Sequence, residues 1–185
     1  MNFRNNKSKH HNQFEFMRVT IFRPLSIIAL LITSASCSSE STDETSQVEA
    51  SSSYTVNNSY TYSQIELDIA DLVNQYRINK GLNPLEKINH ISNVSEGHDD
   101  YMISINTLTH ALFAQREENL RTTLGAVAVG ENIACNFSTA QSVVTAWINS
   151  PAHKANMEGN YTHFGIAVKT NPEGKMYFTN MFVRK

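Results

Sequence analysis

Helical apolar periodicity through the middle of the chain and two alternating runs at its end predict an α+β fold with a small, mostly antiparallel sheet. Ile65, Ile69, Leu72, Val73 and Tyr76 recur at helical spacing, with Ser63 as N-cap and Gly81 as stop. Phe164-Gly-Ile166-Ala-Val168 and the run from Met176 to Phe182 alternate around the turn signal Asn171-Pro-Glu-Gly174, which reads as a hairpin. The 185 residues, 41% apolar and 17% charged, suit one soluble globular domain. A net charge of −2 without a basic stripe argues against a nucleic-acid partner.

The first part of the chain reads as an address. Leu25 to Thr33 is nearly all apolar, with Arg18 and Arg23 ahead of it and the small residues Ser34, Ala35 and Ser36 behind it. That order is the one a secretory signal needs, and the run is shorter than the ~20 apolar residues of a permanent spanning helix. Met17 would give this signal an ordinary length. Ser34-Ala-Ser-Cys37 resembles a bacterial lipobox, with serine where leucine is usual, and makes Cys37 the expected lipidation site. The alternative is cleavage after Ser36 and a free cysteine. Lipid on Cys37 would make the membrane a partner, each buried CH₂ contributing about 0.8 kcal/mol. The expected organisation is a signal region over 1–36, a lipidated N-terminus and Ser/Thr-rich linker over 37–63, and a folded domain over 64–185. The linker carries Glu40, Asp43, Glu44 and Glu49 but no Lys or Arg, and is expected to stay solvated as a flexible tether, with Tyr54, Tyr60 and Tyr62 beginning to pack on the domain.

Within the domain a second helix is expected over about 88–105, with Ile91, Val94, His98, Tyr101, Met102 and Ile105 facing inward. Residues 106–129 read as loop-rich, with a turn or two of helix over 117–124. A third helix over 139–149 has Ser138 or Thr139 as N-cap and is ended by Pro151. A strand near 133–136 would complete the sheet. His10, His11 and His90 lie outside every motif and are read as surface residues. With only Cys37 and Cys135, in dissimilar contexts, no disulfide framework is expected, and Cys135 reads as a small buried hydrophobe.

Five segments follow in fixed order: Asn74-x-x-Arg77, the Leu-Thr-His ending at His110, Gly130-Glu-Asn-Ile-Ala134, Trp147-Ile-Asn-Ser-Pro-Ala-His153, and the closing hairpin. In order and spacing, from about Ile65 to Phe182, they resemble the CAP superfamily (the SCP domain of cysteine-rich secretory, antigen 5 and pathogenesis-related proteins) in its compact bacterial form. The resemblance implies a three-layer α-β-α sandwich, a structural role for Asn74 and Arg77, and a cleft lined by a His-Glu-Glu-His tetrad. His110, Glu131 and His153 match three of the four positions; the second glutamate falls on Ser150. His98, in a pattern resembling the bacterial A-x-x-H-S-x-x-M segment, is implied to face the same cleft, the alternative being a capped core histidine.

Two imidazoles and a carboxylate suit Zn²⁺, so His110, Glu131 and His153 are the expected metal ligands and zinc the candidate cofactor, bound more weakly than by a full tetrad. The other reading is a hydrogen-bonded polar floor, because buried carboxylates and imidazoles must be paired. Three functions stay open. One is a lipid-anchored, extracytoplasmic module at the cell envelope, whose cleft, including His98 and Ser150, binds a small apolar ligand, a metal or a peptide. The second is an envelope hydrolase with His153 as base, Glu131 as orienter and Ser150 as a weak nucleophile candidate, since no G-x-S-x-G elbow surrounds it. The third is a structural surface protein with a vestigial cleft.

Overall fold

The computed structural model describes residues 53–185. The expected signal region, Cys37 and the expected linker up to residue 52 lie outside the described residues. Five helices and four strands follow in the order α1 (Gln64–Asn79), β1 (Glu86–Lys87), α2 (Asn89–Ser104), α3 (Phe113–Leu124), β2 (Ala128–Cys135), α4 (Ala140–Asn149), α5 (Pro151–Met157), β3 (His163–Thr170) and β4 (Met176–Arg184). The sheet order is β1-β3-β4-β2; β1 runs parallel to β3 and the other pairs are antiparallel. Among the described residues no helix is long and apolar enough to cross a membrane.

Strand alternation sorts the side chains into two layers. Phe164, Ile166, Phe178 and Phe182 face one side and pack with Ile69 and Val73 of α1 and Val143, Val144 and Trp147 of α4. Met181 and Val183 face the other side and meet Ile91 of α2 and Leu120 of α3. The result is the expected α-β-α sandwich.

The first helix starts as its sequence requires: Ser63 donates from its backbone N–H (2.7 Å) and its hydroxyl (2.9 Å) to Glu66. Gly81, at φ +74°, turns the chain out of it. Asn74 and Arg77 are structural, as expected. Asn74 exchanges hydrogen bonds with the backbone N–H and C=O of Leu85, and buried Arg77 donates to the carbonyls of Asn83, Met157 and Gly159.

Three segments differ from the sequence expectation. Residues 113–124 form three turns of helix rather than one or two. The stripe Phe113, Arg116, Leu120 and Leu124 has helical spacing, but its arginine hides the apolar period. Pro151 ends α4 and then opens α5, because proline's fixed φ and missing N–H suit the first turn of a helix. Residues 54–63 lie extended along the domain, where Tyr60 and Tyr62 pack as expected and Asn57 adds a contact that the solvated-linker expectation lacks. Asn57 N–H donates to His90 Nδ1 (3.0 Å), Tyr60 to Glu66 (2.8 Å), and Tyr62 meets Ser92 (3.0 Å). His90 is therefore buried, not a surface residue; its other nitrogen lies 2.8 Å from Asn119 Oδ1 on α3.

The close approach of α2 to β3 depends on Gly165. A Cβ there would collide with the backbone of Ile91 and Ser92. The approach lets the Ser92 hydroxyl accept from Ile166 N–H (3.1 Å) and the Ser95 hydroxyl donate to the Gly165 carbonyl (3.3 Å). On the same face Asp99 is fully buried, accepts from Thr179 (2.6 Å), and burial pushes its carboxyl well above the usual range. Gly165→Ala is expected to destabilise the domain by about 1–3 kcal/mol in urea unfolding, since backbone rather than a mobile side chain must yield; unchanged stability would contradict this packing.

Candidate functional site

Glu131 sits on β2 directly opposite Met181 of β4, so its side chain points into the α2–α3 layer. It is 6% exposed. A carboxylate so desolvated needs a matched cation, and α3 supplies one. Arg116 Nε donates to Glu131 Oε2 (2.7 Å) and Nη2 to Oε1 (2.9 Å), the two-pronged geometry in which a guanidinium best fits a carboxylate. The remaining Nη1 donates to the Ala111 carbonyl (2.8 Å), tying α3 to the loop that carries His110.

His110 lies 2.7 Å from Glu131 Oε1 through Nδ1, and its side chain is 53% exposed. Facing a carboxylate, Nδ1 carries a proton, and Nε2 has no protein partner among the described residues. His98 Nε2 is 2.9 Å from the Thr109 carbonyl and 3.9 Å from Glu131 Oε1. A carbonyl can only accept, so Nε2 carries the proton and Nδ1, buried, is left without a partner. Burial pushes the His98 pKa down, and the Arg116 charge adds to that while Glu131 opposes it.

The neighbouring residue Asn132 points to the opposite layer. Its Nδ2 donates to the His153 carbonyl (3.0 Å) and its Oδ1 accepts from Asn156 (2.9 Å), which also donates to the Glu131 carbonyl (3.0 Å). His153 thus joins the site through its backbone. Its ring titrates below the usual histidine range, first through burial and then through repulsion from His110. Ser150 is the hinge between α4 and α5: its N–H donates to the Ala146 and Trp147 carbonyls and its C=O accepts from Lys154.

Two hollows flank the ion pair. A cavity of about 380 Å³ lies among residues 54–57, α2 and α3, with Tyr54, Val94, Gly97, Tyr101, Leu112 and Arg116 in its walls. A second hollow of about 330 Å³ opens at His110, Phe113, Val129, Gly130, Glu131 and Asn156. Ser150 lines neither of them.

The family model for CAP, the cysteine-rich secretory protein family, matches residues 70–182. The chain belongs to the CAP family. It is 32% identical over 124 residues to the protein named "Uncharacterized membrane protein YlbC" of Bacillus subtilis, an alignment covering 65% of this chain and 34% of that one. The chain thus spans about a third of the length of that curated relative. Among solved structures, an extracellular protein with an SCP domain from Bacillus anthracis superposes with a TM-score of 0.57 at 25% identity, covering 69% of this chain and 45% of that chain. An outer surface protein of Borrelia burgdorferi, at 21% identity, shares the fold with a TM-score of 0.60 over 70% of this chain and 99% of that one.

In this CAP domain the expected metal ligands do not form a donor set. Among the described residues no three His, Cys, Asp or Glu side chains are grouped to hold an ion. Both Glu131 oxygens are engaged by Arg116 and His110, and a guanidinium beside the carboxylate repels a metal cation. Zn²⁺ held by His110, Glu131 and His153 is therefore not supported by the geometry; Glu131 is paired by the side chains of Arg116 and His110, and no backbone N–H group reaches its carboxylate among the described residues. His98 does join Glu131, whereas Ser150 is a helix junction and not a cleft residue. Arg116 was missed by motif matching, although an arginine in register with Phe113, Leu120 and Leu124 on one helix face signals a buried anionic partner.

Arg116→Met is expected to cost about 3–5 kcal/mol, because it leaves Glu131 buried and uncompensated. Adding Glu131→Gln should restore part of that loss. Chemical denaturation of the four-member cycle measures both, and a loss below about 1 kcal/mol in the single variant would mean that the pair is solvated.

Proposed function

We propose that this CAP domain is an extracytoplasmic binding module, tethered to the cell envelope through lipid on Cys37, that takes a small uncharged amphipathic molecule into the cavity between α2, α3 and residues 54–57. The observation that carries the reading is the cavity's chemistry. Its walls include Tyr54, Val94, Tyr101 and Leu112, and no Asp, Glu or Lys lines it. Arg116, the one permanent charge there, is already matched by Glu131 and Ala111. A charged ligand would lose its hydration without gaining a counter-ion, whereas an apolar body with a hydroxyl or amide end would find Gln115 and Asn119. The extracellular SCP-domain protein and the outer surface protein among the structural relatives support the location.

The hydrolase alternative draws on a different residue from the one the sequence suggests. Glu131 orients His110, not His153, so any general base would be the outward Nε2 of His110. His110→Ala should then abolish hydrolysis that His153→Ala leaves in place.

Gly97 offers a clean test of the binding reading. It is an exposed residue of α2 on the cavity wall, and a Cβ there meets nothing within 4 Å. Gly97→Leu should raise the melting temperature, since glycine inside a helix costs about 1 kcal/mol, while filling the cavity. Titration with the uncharged fluorophore N-phenylnaphthylamine should show enhancement with the native protein and none with the variant. Equal enhancement in both would remove the cavity from the account. For the tether, Cys37→Ser should move the protein from the membrane pellet to the soluble fraction, and retention in the pellet would refute acylation.

A further inference from the structure

β2 is an edge strand, and which of its backbone groups face outward follows from the ladder. Asn136 N–H donates to the Met176 carbonyl (3.1 Å), and the register pairs Cys135 with Tyr177 and Glu131 with Met181. In an antiparallel pair, directly bonded residues alternate. The even-numbered residues of β2 therefore bond to β4, and Val129, Glu131 and Ile133 turn their N–H and C=O groups away from the sheet. Two side-chain contacts agree: the Glu131 carbonyl accepts from Asn156 (3.0 Å) and the Ile133 carbonyl from the Trp147 indole (3.3 Å).

Two outward N–H groups of the other edge are covered by side chains. On β3, beyond the short β1 pairing, Ile166 N–H donates to Ser92 and Val168 N–H to Glu66. Against that background, Val129 N–H, Val129 C=O and Glu131 N–H stand out. They have no protein partner among the described residues, and they belong to the wall of the 330 Å³ hollow that His110 and Phe113 also line. Gly130 between them leaves room for the Tyr161 hydroxyl and the Asn156 side chain, which a Cβ would displace.

We infer that this stretch of β2 receives an extended peptide, which adds as a short further strand beside Val129–Glu131. Main-chain bonds to Val129 N–H, Val129 C=O and Glu131 N–H would give the affinity, as in other cases of strand addition. Specificity would come from the two side chains that flank the edge. Phe113 offers an apolar face, and His110 offers its unpartnered Nε2. The fitting segment carries a serine or threonine hydroxyl facing His110 and an apolar residue facing Phe113. This site is separate from the α2–α3 cavity and does not depend on its being filled.

The test uses the full-length protein and the peptide acetyl-Val-Gly-Thr-Gly-Val-amide, whose Thr and Val side chains share one face, followed by amide-resolved NMR. The Val129 and Glu131 amide resonances should shift on titration, and the same peptide N-methylated along its backbone should shift neither. Val129→Pro should weaken binding at least about tenfold while sparing the ladder, because proline is tolerated in an edge strand where its nitrogen faces outward. Shifts that survive N-methylation would overturn the inference, as would an unaltered affinity in Val129→Pro. So would concentration-dependent shifts of the same amides without peptide, since the edge would then pair with a second copy of this chain.

Discussion

A carboxylate taken out of water dominates this structure. Glu131 lies inside the α2–α3 layer, where an unmatched charge costs several kcal/mol, and only a partner of fixed geometry offsets that loss. Arg116 meets it with both prongs of its guanidinium and uses the third nitrogen on Ala111. One ion pair thereby positions three things: the edge strand β2, the helix α3, and the loop that presents His110. Helix α3 is otherwise held by Leu120, Phe113 and Leu124 in the apolar cluster and by the Asn119–His90 contact.

The sheet divides the polar residues of the Gly-Glu-Asn segment between two faces. Glu131 turns toward His98, His110 and Arg116, while Asn132 turns toward Asn156 and the backbone of His153. Histidines that look equivalent in sequence are therefore unequal in space. His110 contributes an imidazole, and His153 contributes mainly a carbonyl. The Glu131 carboxylate is already bound to a guanidinium, which leaves it a poor ligand for a metal cation.

Shape is supplied by small residues at points of close approach. Gly165 admits α2 onto β3, and Gly130 admits Tyr161 and Asn156 onto the edge strand. Neither glycine is in the left-handed region, so steric room rather than backbone freedom explains both. Residues 54–57 close one side of the larger cavity through polar contacts to α2, which places the cavity wall next in the chain to the proposed tether.

Local pattern determined a good deal. Helices α1, α2 and α4, the hairpin of β3 and β4 and the Ser63 and Thr139 caps follow from periodicity and capping residues, because each depends on neighbours in the chain or on one apolar face, while the family resemblance implied the structural roles of Asn74 and Arg77. The family resemblance grouped His110, Glu131 and His153, of which the structure joins the first two by side chains. Tertiary structure alone decided the rest. It recruited Arg116 from a helix whose apolar stripe the arginine itself obscures, buried His90 beneath residues 54–57, and turned Ser150 and Pro151 into a helix junction. The physical reason is that a buried charge is answered by whichever opposite charge the fold brings within reach, and sequence spacing does not encode that distance.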